Sequence, residues 1–123
     1  MEFLNNAMEI EIYTRRKCKR FPKTERFTTS ARLIGLAAEA AGHLSRGNDI
    51  YPTNQEEARD RRRHFMAAKG VYADMIREIE VCCRVDGINM DILPAWMAMV
   101  DKEITLIRGI IDADRKRYKN LPQ

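Results

Sequence analysis

TNQEEARDRRRHFMAAKGVYADMIREIEVCCR, residues 53–84, decides the fold class. Ala58, Phe65, Ala68, Tyr72, Met75, Ile79 and Cys82 recur at intervals of three, four or seven residues. That spacing lays one apolar stripe along a single α-helix. Thr53, with Glu56 three positions on, reads as a capping box at its start. Val85-Asp86-Gly87 closes it, which makes a rod of about 45–50 Å. A helix of that length needs partners along its whole stripe.

The flanking sequence supplies them. Upstream, Phe3, Leu4, Ala7, Met8, Ile10 and Ile12 keep helical spacing towards Cys18, and Phe21-Pro22 stops the run. A second helix is expected from near Thr24, with Phe27, Ala31, Ile34, Ala38 and Ala41 as its apolar face and Leu33, Ala37 and Leu44 beside it. Gly47 is expected to end it as a left-handed cap residue. Downstream, a fourth helix starts around residues 89–91 with Pro94 in its first turn. Its core stripe is Trp96, Val100, Ile104, Ile107 and Ile111, and residues 120–123 are expected to fray. Met90, Ile92, Leu93, Met97, Met99, Leu106 and Ile110 exceed what one buried face requires, which points to an oligomer interface. Nothing reads as a strand. The expected fold is all-α, a single-domain antiparallel up-down-up-down four-helix bundle over residues 1–123.

Charge is unevenly placed. The 123 residues carry 22 Lys+Arg and 18 Asp+Glu, a net +4. Residues 1–13 hold three acids and no base. Residues 14–32 hold eight bases against Glu25 alone, and from residue 33 onward fourteen bases balance fourteen acids. Three basic clusters result. The first is Arg15, Arg16, Lys17, Lys19 and Arg20, extended across the turn by Lys23 and Arg26. The second, Arg59, Arg61, Arg62 and Arg63, sits in the first turns of the third helix, where the helix dipole disfavours cations. The third, Arg115, Lys116 and Arg117 with Lys119, ends the fourth helix. In an up-down bundle the second and third meet at one end and the first lies at the other. Such clusters suit sequence-independent contact with an RNA or DNA phosphate backbone, and the scarcity of interleaved aromatics argues against base stacking.

Catalytic chemistry has little to stand on. His43 and His64 are the only histidines, and neither follows an acid by three positions, so the carboxylate-histidine pairs of di-iron bundles are missing. Cys82 and Cys83 diverge by about 100° on a helix and cannot chelate one ion without a distant partner. Glu39 and His43, four apart, read as a surface pair. No phosphate loop or nucleophile motif occurs. No catalytic residue, metal or cofactor is therefore expected. Three cysteines make a poor disulfide framework and suit a reducing cytoplasm. Neither a signal peptide nor a membrane span is expected.

The stretch from Tyr13 to Thr28, with Phe21, Pro22, Lys23, Glu25, Arg26 and Phe27, resembles the helix-ending turn of a known group. That group contains the accessory variability determinant (Avd) proteins of diversity-generating retroelements and the ribosomal intervening-sequence-encoded bundle proteins. The resemblance implies a non-enzymatic bundle forming a ring-like homopentamer. An Avd-like role implies binding a reverse transcriptase and its template RNA, supporting cDNA synthesis in mutagenic retrohoming. By that analogy Arg16, Lys17, Lys19, Arg20, Lys23 and Arg26 are the foremost contacts. An intervening-sequence type implies a self-associating structural bundle without a polymerase partner.

Overall fold

The computed structural model describes residues 1–21, 26–85 and 90–123. Four α-helices account for most of them: α1 (Glu2–Cys18), α2 (Ala31–Asn48), α3 (Gln55–Val85) and α4 (Leu93–Arg117). A π-helical turn, Arg26–Ser30, leads into α2, and a 3-10 turn, Met90–Ile92, leads into α4. The described residues contain no strand. Pro22, Lys23, Thr24, Glu25, Asp86 and Gly87 lie outside the described residues, as do the side chains of Arg26, Phe27 and Met90.

Each helix packs against two others: α1 on α2 and α4, and α3 on α2 and α4. The contacts between neighbours run in opposite senses along the chain. Across α1 and α4, Glu2 meets Lys102, Asn6 meets Glu103 and Thr14 meets Trp96. Across α2 and α3, Arg32 meets Glu78 and His43 meets His64. The core they enclose is one cluster in which Trp96, Tyr72, Phe65, Ile10, Leu33 and Leu44 are fully buried. Trp96 donates its indole N–H to Thr14 Oγ1 at 3.2 Å, satisfying two polar groups that would otherwise be stranded. Phe21, just beyond the end of α1, is buried and sits edge-on to the same indole.

The expected stripes of α3 and α4 are the buried ones. Two other readings change. The π-turn precedes α2, and its buried face is Leu33, Ala37, Ala40, Leu44 and Gly47, while Ala31 and Ala38 are exposed. Of two adjacent faces, the one carrying Leu33 and Leu44 removes more apolar surface from water. On α1, Met8 and Ile12 are likewise exposed, and Thr14 is buried in line with Ala7, Ile10 and Cys18. Nor does α4 leave its apolar surplus bare: Leu93, Met97, Met99, Leu106 and Ile110 are half-buried against the core, and none of the described exposed large hydrophobics lies on this helix.

Both helix-end expectations shift by a residue or more. At the start of α3, Asn54 Oδ1 accepts the Glu57 N–H at 2.9 Å, and Glu57 accepts from the Thr53 N–H at 2.8 Å. The cap is therefore Asn54 with Glu57, one position beyond the expected Thr53 and Glu56. Gly47 is not a left-handed cap but an interior residue of α2, which ends at Asp49 with φ −79°. Its missing side chain lets α3 approach, since a methyl there would stand 2.8 Å from Phe65 Cε1. Phe65 is fully buried and edge-packed on Phe3, so it cannot yield. Gly47→Ala is expected to cost about 1–3 kcal/mol in urea denaturation through overpacking. Gly35→Ala, with nothing within 4 Å of the added methyl, should gain about 0.5–1 kcal/mol from helix propensity. Equal effects at the two sites would refute the close-approach account.

The C-terminal residues are held rather than frayed. The Gln55 amide N–H donates to Pro122 O at 2.9 Å, and Gln55 Nε2 donates to the carbonyls of Tyr118 and Leu121 at 2.9 and 3.0 Å. This clasp joins the start of α3 to the end of α4.

Candidate nucleic-acid interface

The first basic cluster occupies the last turns of α1, where cations favourably face the helix C-terminus. Arg15, Arg16, Lys19 and Arg20 are exposed; Lys17 is half-buried with Nζ 5.0 Å from the Tyr13 ring centre. Arg15 pairs with Glu11 at 3.5 Å across one turn, an exposed contact of small worth. Arg16 and Arg20 make no ion pair with a described residue. A cleft of about 530 Å³ opens where α1 meets the start of α2, lined by Arg15, Cys18, Lys19, Ser30 and Ile34. Burial raises the Cys18 thiol pKa, which disfavours the reactive thiolate. Lys23 and the Arg26 side chain, the expected extension of this cluster, lie outside the described residues.

The second and third clusters come together where Arg61 of α3 meets Asp114 of α4. Arg61 must nevertheless be withdrawn from the contact set. It is only 8% exposed, and its Nε donates to Asp114 Oδ2 at 2.7 Å. Its Nη1 donates to Ile50 O at 3.1 Å and Gly47 O at 3.3 Å, and the guanidinium lies over the rings of Phe65 and Tyr118. Arg61 therefore ties together the end of α2, the start of α3 and the end of α4. The signal was in the sequence: Arg61 fills the gap between Ala58 and Phe65 in the buried stripe, and Asp114 follows Ile111 by three. The rest of these clusters face water to differing degrees. Arg59, Arg63, Arg115, Lys116 and Arg117 are exposed, and Arg62 is half-buried. Arg63 pairs with Asp60 at 2.9 Å, and Arg115 approaches Asp112 only to 4.0 Å.

Two of the cations outside the sequence clusters come together in space. Lys69 and Arg108 line a cleft of about 190 Å³ between α3 and α4, together with Met66, Ile111, Asp112 and Arg115. They are 39 positions apart in the chain, so a scan for local basic runs passes over both.

The histidines also find each other. His43 Nδ1 and His64 Nδ1 are 3.2 Å apart across α2 and α3, so one ring donates to the other, and Arg46 Nη2 lies 3.4 Å from His43 Nδ1. Burial, aided by the nearby Arg46 and His64 charges, lowers the His43 pKa; Glu39 opposes this but is not a bonded partner. Among the described residues no group of three or more His, Cys, Asp or Glu side chains could hold a metal ion. The remaining buried titratable pair lies mid-core. Glu103 is fully buried, with Oε1 accepting from Asn6 Nδ2 at 3.2 Å and Oε2 and the Tyr72 hydroxyl unpartnered.

Among the described residues the chain is all-helical, with four α-helices and exposed cations at the end of α1, the start of α3 and the end of α4. No described helix is long and apolar enough to cross a membrane. No protein-family model, curated protein or solved structure matches it.

Proposed function

We propose that this chain is a non-enzymatic, Avd-like accessory protein of a diversity-generating retroelement. In this reading it is an up-down-up-down bundle that assembles as a homopentamer in the cytoplasm. It binds the phosphate backbone of template RNA or cDNA and a reverse transcriptase, and so supports cDNA synthesis. The observation that carries the reading is the outward-facing cation cluster at the end of α1, in which Arg16 and Arg20 have no acidic partner among the described residues. Cations held apart from carboxylates attract a polyanion and release its counterions on binding. Three free cysteines, all buried, suit a reducing compartment.

The test is fluorescence anisotropy with a 20-nucleotide RNA over a series of salt concentrations. Binding should weaken steeply with salt, and Arg16→Ala/Lys19→Ala/Arg20→Ala should lower the log–log slope by about 2. Absent or salt-independent binding would remove the reading. Co-purification with a reverse transcriptase and a light-scattering mass of five chains test its other two parts.

A second reading, a self-associating structural bundle of the intervening-sequence type, draws support from Met8 and Ile12. These two apolar side chains, one turn apart on α1, are 63% and 37% exposed. A self-assembled protein that binds neither RNA nor polymerase would favour it.

A further inference from the structure

The cleft between α3 and α4 brings together charges that no local run of sequence contains. Lys69 comes from α3, and Arg108 and Arg115 come from α4, seven positions and two turns apart on one face. Arg62 stands seven positions before Lys69, on the same side of α3 by helical period. The seam is therefore flanked by two cations from each helix, and its lining includes Met66 and Ile111.

Its acid complement is thin. Asp112 is the one carboxylate in the lining, and it reaches Arg115 only at 4.0 Å. Lys69 and Arg108 make no ion pair or hydrogen bond with a described residue. Lys69 has Phe65, Met66, Tyr72 and Ala73 at its three- and four-residue neighbours, so its own helix offers no carboxylate there. It is half-buried even so. Three cations therefore face one carboxylate in this lining, with Lys69 half-buried and Arg108 and Arg115 exposed. An oxyanion seated between the helices can accept charge-assisted hydrogen bonds from both sides.

We infer that this cleft seats a backbone phosphate of the bound nucleic acid, held by Lys69, Arg108 and Arg115. The inference rests on the nucleic-acid reading above and adds to it a second contact region on the α3–α4 seam, sharing no lining residue with the cleft beside the α1 cluster.

The experiment repeats the anisotropy titration with the full chain and the same 20-nucleotide RNA. Lys69→Ala/Arg108→Ala is compared with Arg46→Ala/Lys102→Ala, which removes the same net charge outside the cleft. The cleft variant is expected to bind at least tenfold more weakly at low salt, with a slope lower by about 1.4, the value for two lost contacts on a single strand. Its thermal melt should match wild type, because neither side chain makes an ion pair or hydrogen bond with a described residue. Arg108→Gln alone, with a loss of half that slope, serves if the double variant does not fold. Wild-type binding with unchanged affinity and slope in the cleft variant overturns the inference and leaves the reading standing. Equal losses in the cleft and control variants overturn it too, as an effect of net charge alone. No wild-type binding overturns the reading, and this inference with it.

Discussion

Arg61→Ala is expected to destabilise the protein by about 3–5 kcal/mol, enough to lower the melting temperature by roughly 10–20 °C. The magnitude follows from what the substitution leaves behind. Asp114 is buried, and Arg61 Nε at 2.7 Å is its ion-pair partner. Truncation strands that carboxylate in a poorly hydrated site and leaves the Gly47 and Ile50 carbonyls without their guanidinium donor. It also removes the flat cation between Phe65 and Tyr118. Removing both charges should behave differently. Arg61→Met/Asp114→Leu replaces the pair by apolar groups and should recover most of the loss, because neither charge then has to be desolvated. Urea denaturation of the two variants measures the contrast. A single variant within 1 kcal/mol of wild type would mean that the pair is solvated and that Arg61 is open to a partner after all.

Glu103→Gln is expected to act in the other direction, raising stability by up to about 3 kcal/mol at pH 8. Burial pushes the Glu103 carboxyl up to about 7, opposed by the Asn6 hydrogen bond and the Lys102 charge and reinforced by Glu2. The folded state therefore holds a proton that the unfolded chain releases near 4.5. Below that pH the side chain is neutral in both states and carries no penalty. As pH rises towards 7 the folded state becomes progressively less favoured, and above 7 the cost is constant. Glutamine keeps an oxygen acceptor for Asn6 and has no charge to bury, so its advantage should be large at pH 8 and nearly absent at pH 4. A wild-type-to-variant difference that does not change with pH would contradict this account. Tyr72 adds to the apolar setting: burial and the Glu103 and Glu11 charges raise its hydroxyl pKa far enough that it stays protonated throughout. The His43 pKa is lowered, so its contribution has the opposite sense, present above the ordinary histidine pKa and lost as pH falls through it.

The stripes of α3 and α4 were legible because their period is long and regular, from Ala58 to Cys82 and from Trp96 to Ile111. What escaped was polar residues occupying apolar positions. Thr14, Arg61, Glu103 and Asp114 each fall on the buried face of their helix by spacing, yet composition marks them as surface residues. Each is inside because a partner from another helix receives it: Trp96, Asp114, Asn6 and Arg61 in turn. Pairings of that kind join positions more than 50 residues apart, and a one-dimensional pattern carries no record of them. The basic clusters show the same limit. Arg61 read as a member of a run because its sequence neighbours are arginines, while Lys69 and Arg108 read as isolated because their partners lie on another helix. On α2, leucine and alanine faces lie side by side, and the one carrying Leu33 and Leu44 turns inward against α1 and α3.

The seam between α1 and α4 also bears on how the chain assembles. The Arg61 contact that draws α3 to the end of α2 spans 14 residues, whereas the Asn6–Glu103 contact spans 97. By the logarithmic dependence on loop length, closing the longer loop costs about 2 kcal/mol more in chain entropy. The α2–α3 hairpin is thus the natural nucleus, and the seam of Asn6, Thr14, Trp96 and Glu103 is a late-forming contact. Substitutions along that seam then register chiefly in how fast the native protein comes apart, with little change in how fast it forms.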